Sequence, residues 1–200
     1  SGASSHKFSS GSFTEGRIAA KAALKYVLEH PEEPQVDMAA VKAMEEKILA
    51  PLDRFEQFKN ASTDPDINPN YLRPKMAMFR LQKIMDEYAG GVSTNFTTSK
   101  ENLEKALELL EMLKEDLEHL AAEDLHELLR CWENVHRTWQ AEVHVRTMLF
   151  RQETRWPGYY FRSDCPEMNE DDWKVFVNSR WNPETGEWEM SKKPIHRIFV

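Results

Sequence analysis

Two Glu-x-x-His pairs are the residues of this sequence whose types and spacing could hold a metal ion. Glu123 with His126 forms one pair and Glu133 with His136 the other, and bundles that bind two iron ions carry this pattern on facing helices. Here both pairs fall within one predicted helical stretch. They lie ten residues apart, which is about 15 Å along a helix axis and about 280° around it. Because the pairs cannot share two ions, we expect surface or core polar residues and no metal site.

Nucleophilic and phosphate-binding chemistry have no local support. Cys131 falls within helical periodicity, as a buried thiol does, and Cys165 has no neighbour in sequence that would lower its pKa. The sequence contains no Gly-x-Ser-x-Gly turn, no Walker loop and no Gly-x-Gly-x-x-Gly loop. The chain is therefore expected to bring no nucleophile and no phosphate cradle of its own.

The opening segment 6–12 is the remaining candidate for ligand binding. Its serines and its glycine precede a predicted helix that begins at Ser12 or Thr14. Small residues let the backbone approach a ligand closely, and the free N–H groups at a helix start favour anionic groups. From composition alone the segment could equally be a flexible linker, so both interpretations stay open at this point.

Helices and one hairpin must position these residues. Apolar residues at helical spacing predict helices over about 13–30, 36–59, 71–89, 99–120 and 125–150. Pro51 must kink or split the second helix, and Gly90 with Gly91 must end the third. Two short β-prone runs, 175–181 and 187–190, flank a turn that contains Pro and Gly, which predicts a β-hairpin.

The fourth and fifth predicted helices are expected to pack as an antiparallel pair across a turn at 121–124. In the fifth helix the apolar residues recur on one face, with which the helix is expected to pack: Leu125, Leu128, Trp132, Val135, Trp139 and Val143. The whole pattern predicts a mainly α fold, with a lone N-terminal helix, a helical bundle and an extended tail that carries the hairpin.

Composition limits the classes of partner. The chain has 200 residues, with 26 Lys and Arg against 34 Asp and Glu and a formal charge of −8. This balance favours neither nucleic acid nor an anionic membrane surface, so proteins and small molecules are the expected partners. Apolar runs stay shorter than the roughly 18 to 20 residues of a membrane span. Two cysteines are too few for a disulfide framework, and we expect a cytoplasmic protein.

The segment 6–17 reads His-Lys-Phe-Ser-Ser-Gly-Ser-Phe-Thr-Glu-Gly-Arg and resembles the last flavin-contacting segment of dissimilatory adenylylsulfate reductase α subunits. These subunits belong to the fumarate reductase and succinate dehydrogenase flavoprotein superfamily, whose matching stretch reads approximately Ala-Asn-Arg-Leu-Gly-x-Asn-Ser-Leu-x-Glu. The resemblance places Lys7 at the substrate-binding Arg, and Ser12 and Phe13 at the Ser-Leu pair against the flavin. Lys7 in place of that Arg argues against a dicarboxylate substrate and agrees with a sulfonucleotide.

Further segments are similar to the superfamily's helical domain and its closing loop. Residues 81–85 match the Leu-Gln-x-x-Met signature, in a helix that closes on Gly90. Residues 151–166 resemble the Lys-Glu-Ser-Arg-Gly-Ala-His-x-Arg-x-Asp-x-Pro segment that closes that domain. The Trp-Pro-Gly variant at 156–158 and the tail segment 176–188 are similar to the adenylylsulfate reductase branch in particular.

The resemblance implies three parts. Residues 1–34 would be the C-terminal end of an FAD-binding domain, with its last loop and helix, 35–155 a helical domain, and 156–200 an extended tail that contacts neighbouring protein. The dinucleotide fingerprint of the family has no counterpart in the sequence, so we expect a C-terminal portion that is not catalytic alone. In the intact subunit the resemblance implies reversible reduction of adenylylsulfate to AMP and sulfite at FAD. Electrons would come from an iron–sulfur β subunit, which alone would carry iron–sulfur clusters.

The resemblance also implies flavin-binding roles for His6, Ser10, Ser12 and Phe13. The two serines would supply hydrogen bonds, and the start of the helix would stabilise the anionic reduced flavin by about 0.3 to 1 kcal/mol. Lys7 is assigned to the substrate side, with a solvated lysine beside a loop as the open alternative.

The closing loop and the tail carry two further expectations. Glu153, Arg155, Arg162 and Asp164 are expected to form bracing ion pairs and not to act in catalysis. The aromatic residues of the tail suit either a partner interface or ordinary packing: Trp156, Tyr159, Tyr160, Trp173, Trp181 and Trp188. The competing hypothesis for the whole chain is a self-standing, cofactor-free helical module for protein interaction.

Overall fold

The computed structural model describes residues 8–58 and 72–195. Within this part of the chain the helices are α1 (Phe8–Glu29), α2 (Met38–Phe58), α3 (Pro74–Tyr88), α4 (Lys100–Leu117), α5 (Leu125–Phe150) and the short α6 (Glu170–Trp173). The strands are β1 (Thr97–Thr98), β2 (Phe161–Arg162), β3 (Val175–Asn182) and β4 (Glu187–Pro194). The predicted mainly α fold with a C-terminal hairpin is confirmed.

The chain divides into two compact units, Ser1–Glu46 and Lys47–Val200. In the first unit α1 and the beginning of α2 expose every side chain from residue 12 to residue 46. In the second unit α3, α4 and α5 form the bundle. The domain boundaries expected after residues 34 and 155 stay predictions.

Local sequence signals fix the ends of α3. Pro74 takes the first helical position after an extended Arg73, where its missing N–H costs nothing. Gly90 follows the helix with a φ of 77°, a conformation that glycine adopts without strain. At Gly91 an added Cβ would lie 2.4 Å from the Cα atom of Asp86, so the chain turns back too closely for any other residue. The predicted stop at the two glycines is confirmed.

Side-chain caps start both α4 and α5. Ser99 accepts a hydrogen bond from the backbone N–H of Asn102 at 3.3 Å, and Asp124 accepts one from Glu127 at 2.8 Å. Each satisfies one of the free N–H groups of a helix start. The two helices pack against each other across residues 118–124, which confirms the expected turn.

The face of α5 that enters the core differs from the predicted one. Of the six residues in the predicted stripe Leu128 is buried, whereas Leu125, Val135 and Trp139 are exposed. The core face consists of residues that include three polar ones: Leu128, Cys131, Asn134, Thr138, Ala141, Glu142, Val145 and Met148. The apolar pattern misled because polar side chains occupy core positions, two of them with partners: Asn134 donates to the Pro74 carbonyl at 2.8 Å, and Glu142 pairs with two cations.

The predicted stripe lies on another side of α5, where two other elements reach it. The indole Nε1 of Trp132 donates to the carbonyl of Ile48 in α2 at 2.6 Å. The ring of Trp139 lies 5.2 Å, between centroids, from that of Trp188 in β4. Trp132 and Trp139 on this side therefore contact α2 and β4, while a different face of α5 packs in the core.

Two small sheets connect the bundle to the tail. Strands β1 and β2 pair in parallel, with Thr97 opposite Phe161 and Thr98 opposite Arg162. Strands β3 and β4 pair antiparallel from Val175 opposite Pro194 to the turn, so the hairpin is confirmed and extends beyond its predicted end. Among the described residues, none of the helices has the length and apolar character needed to cross a bilayer.

Candidate functional site

The helix that carries the predicted flavin-facing residues begins earlier than expected. Helix α1 already includes Phe8, so the predicted start at Ser12 or Thr14 is wrong. Serine and glycine in a helix cost at most about 1 kcal/mol each relative to alanine, and the helix continues through them. The free N–H groups expected at Ser12 therefore belong to an earlier point of the chain.

Only some of the implied flavin-binding residues belong to the part of the chain that the structure describes. His6 and Lys7 lie outside the described residues, and for Ser10 the structure describes the helical backbone alone. Ser12 and Phe13 are exposed, Phe13 by 80%. As neighbours in a helix their side chains point about 100° apart. Both are accessible to a ligand, and the roles assigned to all five residues stay predictions.

The glutamates of the two Glu-x-x-His pairs are engaged by arginines. Glu123 forms a close ion pair with Arg73. Glu133 accepts from Arg130 at 2.6 Å and lies 3.2 Å from a guanidinium nitrogen of Arg137. Within the described ranges no three His, Cys, Asp or Glu side chains are grouped so as to hold a metal ion.

Arg162 is the centre of the closing loop. The residue is 1% exposed, and its guanidinium donates two hydrogen bonds to Asp164, of 2.8 Å from Nε and 2.5 Å from Nη2. The remaining guanidinium nitrogen donates to the carbonyls of Met148 and Arg151 at 2.6 and 3.1 Å. These carbonyls belong to the end of α5, where helical partners are missing. Arg162 therefore ties the loop to the end of this helix.

Glu153 forms a second centre beside the first. It is completely buried and accepts two hydrogen bonds from Arg155, of 2.8 and 3.0 Å, and one from the backbone N–H of Asn169 at 3.0 Å. Arg151 forms a close ion pair with it, and Arg155 also reaches Glu170 at 2.6 Å. The expected bracing ion pairs are present at both centres.

Arg151 is a bracing residue that the sequence analysis missed. Its guanidinium donates to the carbonyls of Trp173 and Val175, both at 3.0 Å, and so fixes the start of the hairpin to the end of α5. A signal was available in the alternation of Arg151, Glu153 and Arg155, because side chains two residues apart in an extended segment point to one side.

An ion triad around a buried glutamate of the bundle was also missed. Glu142 on the core face of α5 is buried, with one carboxylate oxygen 2.6 Å from Lys114 Nζ and the other 2.8 Å from Arg146 Nε. Burial alone would raise the pKa of Glu142, but the bonds from the two cations outweigh it and lower that pKa. This charged cluster explains how a glutamate occupies a core position.

Electrostatics fix the protonation of the closing loop. Burial alone would raise the pKa of Glu153, but hydrogen bonds led by that from Arg155 keep it below its ordinary value. The bond from Arg162 lowers the pKa of Asp164. Burial, together with the Asp164 charge, raises the pKa of the Cys165 thiol. Near neutral pH the loop therefore contains two carboxylates held by arginines and a protonated, poorly nucleophilic thiol.

A cleft of about 340 Å³ opens beside these groups, between the start of α4 and the end of α5. Its lining is mixed in polarity: Lys100, Glu104, Leu149, Gln152, Arg162, Asp164 and Cys165. Arg162 and Asp164 satisfy each other there, and Lys100 Nζ lies 3.7 Å from a Glu104 carboxylate oxygen. With charges paired and the thiol protonated, this region acts as a structural brace.

Part of the aromatic tail packs onto the bundle. Trp173 is buried. The ring of Phe150 meets it edge-on, with 5.6 Å between the ring centroids, and Lys192 Nζ lies 3.5 Å from the centroid of the Trp173 ring. Trp188 is half-buried, and its ring lies 5.3 Å from that of Trp181. Trp173 and Trp188 therefore pack within the chain, whereas Trp181 stays 38% exposed.

The turn after Arg155 presents two further tail aromatics differently, whereas the half-buried Tyr160 packs against the core. Trp156 and Tyr159 are both exposed, and the turn is closed by a 2.9 Å hydrogen bond from Tyr159 N–H to the Trp156 carbonyl. The interface interpretation of the tail stays a prediction for these two residues.

Known proteins match almost all of the chain. Residues 78–199 match the family model described as fumarate reductase flavoprotein C-term. Adenylylsulfate reductase subunit alpha from Megalodesulfovibrio gigas is 46% identical over 198 residues, which cover 99% of this chain and 30% of that protein.

Two solved structures share the fold closely. Adenylylsulfate reductase from the hyperthermophile Archaeoglobus fulgidus is 57% identical with a TM-score of 0.85, over 96% of this chain and 30% of that chain. A structure of adenosine-5-phosphosulfate reductase in complex with sulfite, as a covalent adduct, gives the same four values, 57%, 0.85, 96% and 30%. The chain thus spans about 30% of the length of the relatives that it matches.

Proposed function

Because the chain belongs to the fumarate reductase flavoprotein C-terminal family, we propose that it is the C-terminal part of the flavoprotein α subunit of a dissimilatory adenylylsulfate reductase. The observation that carries this proposal is the high identity to two adenylylsulfate reductases along nearly the whole chain. The intact subunit would reduce adenylylsulfate to AMP and sulfite, reversibly. Since the chain spans only 30% of those relatives, it would not be catalytic alone.

FAD would supply the two-electron chemistry when bound to the intact subunit. On this chain Ser12 and Phe13 would line the flavin, and His6 and Ser10 would offer further hydrogen bonds. The exposure of Ser12 and Phe13 fits this role, since a ligand can reach both. Lys7 would hold an anionic group of the substrate through its ammonium group, which forms charge-assisted hydrogen bonds.

The apolar face of α1 supports the same proposal. Leu24 and Leu28 follow Phe13 at intervals of eleven and four residues, which places the three side chains within about 60° on the helix. All three are exposed. A helix with such a face gains stability when other protein or a cofactor covers it, as the rest of a flavin domain would.

The proposed partner is an iron–sulfur β subunit that delivers electrons to the flavin and alone holds the clusters. Trp156 and Tyr159 are the residues proposed to contact neighbouring protein, because exposed aromatic side chains on a fixed turn are typical anchors of interfaces. A cytoplasmic location remains our expectation from the low cysteine count.

An assay on the intact enzyme tests the substrate-side assignment. The intact α subunit, assembled with its iron–sulfur partner, should form AMP and sulfite from adenylylsulfate. Lys7→Met should raise the KM for adenylylsulfate about tenfold, because a charge-assisted bond of about 1.5 kcal/mol is lost. Lys21→Met, which removes an exposed charge elsewhere on α1, is the matched control. Equal effects of the two substitutions would remove Lys7 from the substrate site.

FAD binding, measured on both the 200-residue chain and the intact protein, discriminates between the flavoprotein and the cofactor-free module. The chain alone should not bind FAD stoichiometrically, because it has no pyrophosphate loop. An intact protein that neither contains flavin nor takes it up would leave the cofactor-free interaction module as the better hypothesis.

A further inference from the structure

The second part of α2 crosses a break in its own hydrogen-bond ladder. Pro51 has no backbone N–H, so the carbonyl of Lys47, four residues earlier, has no helical partner. The helix nevertheless continues to Phe58. Next to this break the carbonyl of Ile48 accepts the 2.6 Å hydrogen bond from the indole of Trp132. An external donor from α5 thus supports α2 at its weakest turn.

A second side chain, that of Arg54, holds this part of α2 on the bundle. Arg54 donates to the carbonyls of Leu117 and Leu120 at 3.3 and 3.1 Å, at the end of α4, where a cation also meets the negative end of the helix dipole. Phe55, 9% exposed, belongs to the core cluster, and the partly buried Leu52 packs against that cluster. The other side chains described between residues 47 and 57 are half-buried or exposed.

We propose that residues 47–58 are a strap that opens from the bundle and closes on it as a local unit, latched by Trp132 and Arg54. Regions with little buried apolar surface open at a lower free energy than the core of the same protein. In α4 the side chains of Leu103, Leu110 and Leu113 are wholly buried. Opening of α4 would therefore expose more apolar surface than opening of the strap.

Opening would break the hydrogen bonds of Trp132 and Arg54 to the backbone and withdraw Phe55 from the core. All contacts of the latch lie within the unit Lys47–Val200, and the strap does not depend on the proposed function.

Hydrogen exchange of backbone amides in the full 200-residue chain, read by mass spectrometry of peptic peptides, tests the strap. Peptides from residues 47–58 should exchange through local opening, well before those from α4. Trp132→Phe removes the indole donor but keeps a large apolar ring, and it should raise strap exchange about fivefold, the effect of one lost hydrogen bond of about 1 kcal/mol. Exchange in α4 should stay unchanged.

Two further variants make the test directional. Trp139→Phe alters a tryptophan of the same helix whose ring lies beside that of Trp188 in β4, and it should leave strap exchange as in the wild type. Pro51→Ala restores the missing N–H and should slow strap exchange. The strap is refuted if its amides exchange at the rate of α4 in the wild type, if Trp132→Phe changes both regions equally, or if Pro51→Ala leaves strap exchange unchanged or faster.

Discussion

Replacing Glu153 by Gln tests whether one buried carboxylate holds the tail on the bundle. The carboxylate is completely buried and accepts hydrogen bonds from Arg155 and Asn169, beside a close ion pair with Arg151. Gln keeps the shape and one acceptor oxygen but removes the charge and turns an amide N–H₂ toward a guanidinium group. Breaking a buried ion pair from one side costs about 3 to 5 kcal/mol.

The lower end of that range applies here. The side chains of Arg151 and Arg155 are 22% and 24% exposed, so both can turn toward water once the carboxylate is gone. We therefore expect Glu153→Gln to lower the free energy of unfolding of the tail by about 3 kcal/mol. Glu104→Gln is the matched control, because its partner Lys100 is exposed and a surface pair contributes at most about 1 kcal/mol.

Urea unfolding at neutral pH, followed by near-ultraviolet circular dichroism, measures this effect. Trp173 is a suitable reporter because its buried ring and its carbonyl both lie against Arg151. The midpoint of the tryptophan signal should move to lower urea in Glu153→Gln and stay nearly unchanged in Glu104→Gln. A loss below 1 kcal/mol, equal to that of the control, would refute the idea that Glu153 holds the tail.

The same residue predicts a pH dependence with a definite sign. The pKa of Glu153 is lower in the folded chain than its ordinary value of 4.5, so the unfolded chain binds a proton first as the pH falls. Its contribution to stability is therefore complete above pH 4.5 and decreases as the pH falls from there through the folded pKa. Glu153→Gln should flatten this part of the stability profile, as measured by urea midpoints in acid. A profile as steep as that of the wild type would contradict the assignment.

Three further predictions concern single sites. Arg162→Met should destabilise the closing loop by about 3 kcal/mol, because Asp164 loses its buried partner, and thermal unfolding measures the loss; Arg80→Met, which removes an exposed ion pair, is the control. Cys165 should react with iodoacetamide more slowly than an unperturbed thiol, because its pKa is raised. Cys131 should react more slowly still, since burial raises its pKa to about 11; labelling at neutral pH that favours Cys131 would contradict both statements. Gly16→Ala should increase helix content in the 200-residue chain, because nothing lies within 4 Å of the added Cβ and alanine is the better helix former by about 1 kcal/mol, as far-ultraviolet circular dichroism would show.

Much of the fold follows from local signals. The ends of α3 at Pro74 and Gly90 and the starts of α4 and α5 at Ser99 and Asp124 are fixed by residues that act within one turn of the chain. Such signals act at short range and do not depend on tertiary contacts. For the same reason the hairpin around Gly186 was predictable from its turn residues.

Burial was harder to predict, because it depends on partners that lie far apart in the sequence. Glu142 enters the core with two cations paired to it, one of them Lys114, 28 positions earlier, and hydrophobic periodicity counts such a residue as polar. Trp132 and Trp139 are apolar by the same criterion, yet they serve α2 and the hairpin. The start of α1 was misplaced for a different reason, since serine is a common residue at a helix start but costs little inside a helix, where Ser12 lies.

In the candidate site, too, short-range contacts were predictable from the sequence and long-range contacts were not. The ion pairs of Glu153 and Arg162 were predictable because their partners lie within two residues. The link from Arg151 to Trp173 and Val175 spans more than twenty residues and depends on how the tail folds back.

The content of FAD in the intact subunit tests the central claim most directly. Purified intact protein should contain one FAD per chain, and Phe13→Asp should weaken FAD binding at least tenfold, since a charged side chain against the flavin costs more than about 1.4 kcal/mol. Phe79→Asp, which changes a phenylalanine exposed on the bundle, should retain FAD as the wild type does. An intact subunit without flavin, or a Phe13→Asp variant that binds FAD with the wild-type Kd, would contradict the claim that the start of this chain forms a wall of the flavin site.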